Sequence, residues 1–490
     1  MKTNRLSLKI LSALLALLML LPLASCGAKS GSDATSPATA SATEAVVTSP
    51  ASTASEATLP ATEAATATAT EPITEPATEA ATAAETEPAT TAATEPITEP
   101  ATAPVTTAAE TEPITEPATE PAPQKIVVTL TEFDAEVPVG IHTALQANYL
   151  ADPDVHSILT YADKGGNDEL SRPAPITLSW AVETLDEVAV KSFSVKVSTD
   201  PDLSRPKTIV AGKSKNSCEF YNALIGTTYY WNVTANGEDG VAYVSATSSF
   251  TTEAQGPRNL YVDSVTNVRD LGGWQTEDGG RIRQGLLYRG ARLTENFDVR
   301  DVLISDAGIR TLRNELGIKC EIDLRQTKDV NDRDEAGTTK AEGDVVSALG
   351  NKVRYVPFPM EYDRTLLFSD EKNLQRIREI FAFLADESNY PIYFHCSIGT
   401  DRTGMIAWLL NGLCGVSEED LWRDYLFSNF GQISAVRTRE RNEDVYVNQL
   451  KSAEGDTFAE KIYNYLKDTV GVAESDLQAV IGILKEPAAN

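Results

Sequence analysis

His395 and Cys396 are neighbours in a chain of 490 residues with only three histidines and five cysteines, and Arg402 follows six positions after the cysteine. The surrounding stretch, PIYFHCSIGTDRTG (residues 391–404), concentrates groups that can handle an anion. A cysteine thiolate is a nucleophile, and positive surroundings lower the pKa of its thiol. An arginine presents a planar fork that can hold two phosphate oxygens and stabilise the charge of a transition state. Thr403 can donate its hydroxyl hydrogen to the sulfur, stabilising it as a leaving group. Gly399 lets the backbone turn and approach a ligand closely. His395 is placed to order the loop by hydrogen bonds rather than to act as a base.

This chemistry needs a strand that ends at the cysteine and a helix that begins near the arginine. PIYFH (391–395) is a short apolar, β-rich run, and RTGMIAWLLNGLCG (402–415) reads as a helix ended by Gly415. Between them, the amides of Ser397, Ile398, Gly399, Thr400, Asp401 and Arg402 and the positive end of the helix would cradle a phosphate. Ligands bind α/β sheets at such strand ends. Nearby, GIRTLRNELG (308–317) has helical spacing, while IKCEIDL (318–324) and VRYVPFPM (353–360) read as strands. SDEKNLQRIREIFAFLADE (369–387) reads as an amphipathic helix opened by Ser369, and SEEDLWRDYLFSNF (417–430) opens with a Ser-x-x-Asp capping box. Strands alternating with helices imply a mostly parallel central sheet flanked by helices.

HCSIGTDRTG resembles the signature of cysteine-dependent tyrosine phosphatases: His-Cys, five residues, then Arg and Ser or Thr. The Asp before the Arg resembles the bacterial tyrosine phosphatase family related to dual- and lipid-specificity enzymes. NVRDLGG (267–273), YRGARL (288–293), IDLR (322–325) and GVSEEDLWRDYLFSN (415–429) resemble its other segments. The resemblance implies nucleophilic attack by Cys396, a phosphocysteine intermediate and its hydrolysis by water. It also implies Asp401 as general acid. Asp363 is the alternative, because its place 33 residues before Cys396 resembles the acid loop of other tyrosine phosphatases. Thr400 departs from the subgroup, which usually carries a lysine there, and this weakens any implied preference for lipid phosphates. Asp323 is expected to tie Arg325 into the fold or the site rim. Arg269 and Asp270 are expected to pair with each other, and Cys320 and Cys414 to be core thiols.

The rest of the chain has a different grammar. Lys2, Arg5 and Lys9 precede an apolar run (10–23) that ends in LASC (23–26), the form of an export signal. It resembles the lipobox of bacterial lipoproteins, which implies cleavage before Cys26 and lipidation of its thiol. Two acyl chains would anchor the protein to a membrane. Residues 27–124 are almost wholly Thr, Ala, Glu, Pro and Ser, with TEPITEP at 70–76, 94–100 and 111–117. They carry no apolar periodicity from which to build a core and read as a disordered, solvated stalk. Residues 31–124 hold fifteen acids and no Lys or Arg, about half of the net charge of −29, and this balance argues against a nucleic-acid partner. Residues 125–254 contain several short strands bounded by turn residues and resemble a fibronectin type III β-sandwich, expected to act as a spacer.

The expected organisation is therefore a lipoprotein signal (1–26), a stalk (27–124), an all-β sandwich (125–254) and an α/β phosphatase-type domain (257–487). No Cys/His cluster has zinc-ligand spacing, and no metal or organic cofactor is implied. Two functions compete. One is a membrane-anchored, extracytoplasmic phosphatase acting on a phosphorylated protein or a small phosphomonoester. The other is a surface-displayed module that grips an anionic phospho-ligand without turnover.

Overall fold

The computed structural model describes residues 125–162, 168–294, 302–326, 346–361, 369–440 and 447–488. Cys26, the expected stalk and Asp363 lie outside these residues. Among the described residues, no helix is long and apolar enough to cross a membrane.

Residues 125–254 form two antiparallel sheets. One has the order β1 (Ile126–Leu130), β2 (Ile176–Thr184), β5 (Ser217–Phe220). The other runs β4 (Lys207–Gly212), β3 (Val190–Ser198), β6 (Thr228–Gly237), β7 (Ala242–Val244), with β8 (Ser248–Thr251) also on β6. Alternation does the work: along β6 the side chains of Tyr229, Trp231, Val233 and Ala235 turn inward, as the two-residue period of a strand requires. They meet Trp180, Phe193 and Phe220 in one core shared by both sheets. The Tyr229 hydroxyl accepts from the Leu224 N–H (2.8 Å) and closes the corner before β6.

Between β1 and β2 the chain makes an excursion containing α1 (Ala144–Ala151) and α2 (Ile158–Tyr161). Thr143 caps α1 in a reciprocal capping box with Gln146. Tyr149, Leu150, Val155 and Ile158 from this insertion belong to the same apolar core as Met405, Leu409, Tyr425 and Phe427 of the C-terminal domain. The Arg423 guanidinium donates to the carbonyls of Tyr149, Leu150 and Asp152. Helices this short are marginal alone and depend on the surface they pack against, so local periodicity gave no sign of them.

The C-terminal domain is built on a five-stranded sheet in the order β13 (Arg354–Pro357), β12 (Cys320–Asp323), β14 (Ile392–His395), β11 (Leu287–Gly290), β9 (Arg269–Asp270). The first four are parallel, and β9 runs antiparallel to β11. In register, Gly290 and Asp323 flank His395 on either side. The C-terminal ends of β11, β12 and β14 therefore converge, which brings residues 290–292, 323–325 and 395–402 to one edge. β10 (Arg281–Ile282) lies outside this sheet. After the short α3 (Asp306–Arg310) come α4 (Glu371–Leu384), α5 (Asp401–Leu413) and α6 (Glu418–Phe427). Asp370, not Ser369, caps α4, because its carboxylate reaches the N–H groups of Lys372 and Asn373. Ser417 caps α6 as read.

Candidate active site

β14 delivers the chain to Cys396, and α5 takes it up again at Asp401. Residues 396–400 form the loop between them. Its turn depends on Gly399, whose φ of +71° lies in the left-handed region and whose missing Cβ would strike the Gly290 carbonyl. Every residue of α5 is buried, so the loop rests on the most enclosed helix of the domain.

Cys396 is 3% exposed. Burial pushes its thiol pKa up, but the Arg402 charge and hydrogen bonds from the Thr403 hydroxyl and N–H outweigh that effect and hold the pKa below the ordinary value. The Thr403 hydroxyl is buried and has no nitrogen or oxygen partner among the described residues, which suits its hydrogen bond to the sulfur. Arg402 is oriented by carbonyls: its Nη1 donates to Leu324 and Met360, both at 3.3 Å. Cys396, Arg402 and Thr403 thus come together as their spacing implied.

His395 sits in a buried acidic cage. Its Nε2 lies 3.0 Å from Glu321 Oε1, and its Nδ1 lies 3.1 Å from the Cys396 carbonyl and 3.8 Å from Asp323. Burial lowers its pKa, but Asp323 and Glu321 raise it further, and the net direction is up. An imidazolium donates from both nitrogens, and both face acceptors here. The residue fixes the loop's entry. Asp323 receives the Arg325 guanidinium at 2.7 Å and the Tyr355 hydroxyl at 2.9 Å, and Arg325 also donates to the Thr294 carbonyl. This pair ties the end of β12 to the segment after β11.

Asp401 is 2% exposed and Arg437 is 3% exposed. Arg437 Nε donates to Asp401 Oδ1 at 3.0 Å and Nη2 to Oδ2 at 2.8 Å, while the Tyr425 hydroxyl donates to Oδ1 at 3.3 Å. A carboxylate accepting on both oxygens in this way braces the start of α5. Asp363 lies outside the described residues.

A further set of groups grips the loop from behind. Arg289 donates to the Gly399 carbonyl (2.9 Å) and to Asp424. Arg269 holds the other oxygen of Asp424 (2.8 Å) and the side chain of Asn267 (2.6 Å). Asn267 in turn donates to the Ile398 carbonyl at 3.0 Å. Burial and the neighbouring Arg269 push the Arg289 pKa down to about 10, against the pull of Asp424 and Cys396. Asp424 is shifted the other way, with burial raising it and the two arginines lowering it to a net value below the usual carboxylate range.

The expected Arg269–Asp270 pair does not form. Adjacent strand residues point to opposite faces, and the two go to different partners: Arg269 to Asp424, and Asp270 to Arg258 at 2.7 Å. Cys320 and Cys414 are buried thiols; burial pushes the first up and the second up to about 12. Among the described residues, no group of three or more His, Cys, Asp or Glu is arranged to hold a metal ion.

The Cys396 thiol, the Arg402 guanidinium and the Thr403 hydroxyl now share one place at the start of the loop. Residues 260–487 match the tyrosine phosphatase family. A Cupriavidus necator protein assigned as a tyrosine-protein phosphatase is 31% identical over 186 residues, which cover 36% of this chain and 64% of that one. A tyrosine-protein phosphatase of Nostoc commune is 27% identical over 124 residues, 23% of this chain and 41% of the relative. The matched portion is thus less than two thirds of the length of either curated relative. The solved structure of P. aeruginosa TpbA aligns at 20% identity and a TM-score of 0.24, covering 39% of this chain and 97% of that one.

Within residues 260–487, several residues that hold the loop had escaped sequence reasoning. Arg289, Asn267 and Asp424 stood inside stretches recognised by resemblance, but without a role. Glu321 and Arg437 gave no signal: each reaches its partner from far along the chain, 74 and 36 residues away.

Proposed function

We propose that the protein is a phosphomonoesterase of the cysteine-dependent tyrosine phosphatase type, displayed outside the cell on a lipid-anchored stalk. The observation that carries the catalytic reading is the buried Cys396, whose thiol Arg402 and Thr403 shift toward the thiolate at the start of the loop 396–400. Cys396 Sγ attacks phosphorus, the bond to the leaving oxygen breaks, and that oxygen takes a proton from an acid of the cleft. Water then gives a proton back to that carboxylate as it attacks the phosphocysteine, the P–S bond breaks to release the thiolate, and inorganic phosphate leaves, with Arg402 gripping the phosphoryl oxygens throughout. The Arg437 pairing supports a bracing role for Asp401, and Asp363 is then the candidate acid. The substrate class is a phosphotyrosine protein or a related phosphate ester.

The anchor rests on the LASC sequence at residues 23–26 and the stalk on the composition of residues 27–124. The fibronectin type III reading of the sandwich is supported by its 3-plus-5 strand order and by the Tyr229–Leu224 corner. The test is release of inorganic phosphate from an aryl phosphate by reduced full-length protein at about pH 5–7, with Cys396→Ser as control. Turnover abolished in the variant is the expected result; no turnover in the unaltered protein overturns the reading.

A further inference from the structure

The sandwich reaches the phosphate loop. Its insertion returns toward β2 through residues 168–172, and this short segment is held on every side. The Leu170 N–H donates to the Phe430 carbonyl at 2.6 Å. The fully buried Gln146 of α1 donates to the carbonyls of Leu170 (2.6 Å) and Arg172 (2.9 Å). Ser171 Oγ accepts from the Asn267 N–H at 3.0 Å, and Asn267 is the residue whose amide side chain holds the Ile398 carbonyl. Through the Ser171 side chain and Asn267, the insertion is thus two hydrogen bonds from the catalytic loop. Arg172, the next residue, stands on this fixed backbone with its side chain exposed and its guanidinium 4.7 Å from the centre of the Tyr261 ring.

A cleft of about 330 Å³ lies between this segment and the loop. Arg172 and Arg292 line it together with Thr266, Gln432, Ser397 and Ile398. Its size is at the small end of ligand sites. Arg292 Nη1 is bound to the Ser397 carbonyl at 3.0 Å, which fixes one cation against the loop itself. Glu169 also lines the cleft, but one of its oxygens is taken up by the Ser171 N–H (3.1 Å) and hydroxyl (2.5 Å). Val265, Ala291 and Leu303 supply apolar wall between these groups. Two guanidinium groups in one cleft, beside the loop read above as the phosphate site, suit a second acidic group carried by the same ligand.

We propose that this cleft is a second anion subsite and that Arg172, contributed by the sandwich, is a specificity-determining residue for phosphomonoesters bearing another carboxylate or phosphate near the reacting one. The proposal rests on the phosphomonoesterase reading above. It makes the sandwich part of the substrate site rather than a spacer. An acidic phosphopeptide and a small bisphosphate offer the same chemistry, so both are needed in the test.

Full-length protein, Arg172→Ala and Arg172→Lys are compared by kcat/KM on two substrate pairs: a phosphotyrosine peptide flanked by Glu against the same peptide flanked by Gln, and a polyol bisphosphate against its monophosphate. The expected result is a preference for the more acidic member of at least one pair by about threefold to fivefold, the effect of one exposed charge pair. The preference resides in KM, disappears in Arg172→Ala and returns in Arg172→Lys. The pair that shows it identifies the source of the second anion. No preference in either pair, or a preference that survives in Arg172→Ala, overturns the proposal. If no substrate releases phosphate, it is the catalytic reading that has failed. Calorimetric binding of the same pairs to Cys396→Ser then decides the subsite: an Arg172-dependent preference supports it, and equal binding overturns it.

Discussion

Replacing Arg437 by alanine tests whether Asp401 braces the loop. The wild-type carboxylate accepts two guanidinium hydrogen bonds, at 3.0 and 2.8 Å, and both side chains are almost fully buried. Removing one member of such a buried pair takes the ionic partner from the charge that stays behind, at a cost of about 3–5 kcal/mol. In a domain of this size each kcal/mol lowers Tm by about 2–4 °C, so Arg437→Ala should melt about 6–20 °C below wild type. Removing both charges is milder, because a buried ion pair adds little over a neutral replacement. Asp401→Asn/Arg437→Met should therefore recover at least about half of the loss. The assay is a thermal melt of reduced protein, followed by the pH profile of kcat. A brace predicts that Asp401→Asn lowers kcat by a similar factor at every pH, whereas a general acid predicts loss of the basic limb. A Tm for Arg437→Ala within about 2 °C of wild type, or a basic limb that vanishes in Asp401→Asn, refutes the bracing argument.

Three other expectations follow from the geometry. The Cys396 thiol, held below the ordinary value by Arg402 and Thr403 against the opposing effect of burial, should be alkylated by iodoacetamide with a midpoint below that of a free cysteine. Thr403→Ala should move that midpoint upward. For stability the sign is that of a depressed acid: the contribution is full above the unfolded pKa and fades as pH falls through the folded one. Gly399→Ala must place a Cβ against the Gly290 carbonyl at φ +71°. Misplacing the amide cradle in this way should reduce kcat by about 100-fold or more, and a rate near wild type would show that the loop tolerates the strain. Finally, a fragment beginning at residue 255 loses Tyr149, Leu150, Val155 and Ile158 from its core. It should bind ANS or precipitate where residues 125–490 stay folded; a cooperative melt equal to that of the longer protein would refute the shared core.

The sequence alone reached the chemistry because that chemistry is local. Cys396, Gly399, Arg402 and Thr403 lie within eight positions, bounded by a β-rich run and a helix ended by Gly415, and a strand–loop–helix unit can be recognised from such neighbours without any distant partner. The same holds for the sandwich strands, whose two-residue alternation is written into Tyr229, Trp231 and Val233. Tertiary structure decided everything that depends on contacts far apart in the chain. Arg269 and Asp270 looked like a pair until the strand turned them to opposite faces, toward Asp424 and Arg258. Arg437 reaches Asp401 only after α6 has folded back, and this pairing is what supports a bracing role for Asp401. The insertion between β1 and β2 forms helices too short to announce themselves, and only the surface of the neighbouring domain makes them stable. Local spacing determined which residues can react; long-range packing determined which of them are held, by what, and that the sandwich stands beside the site.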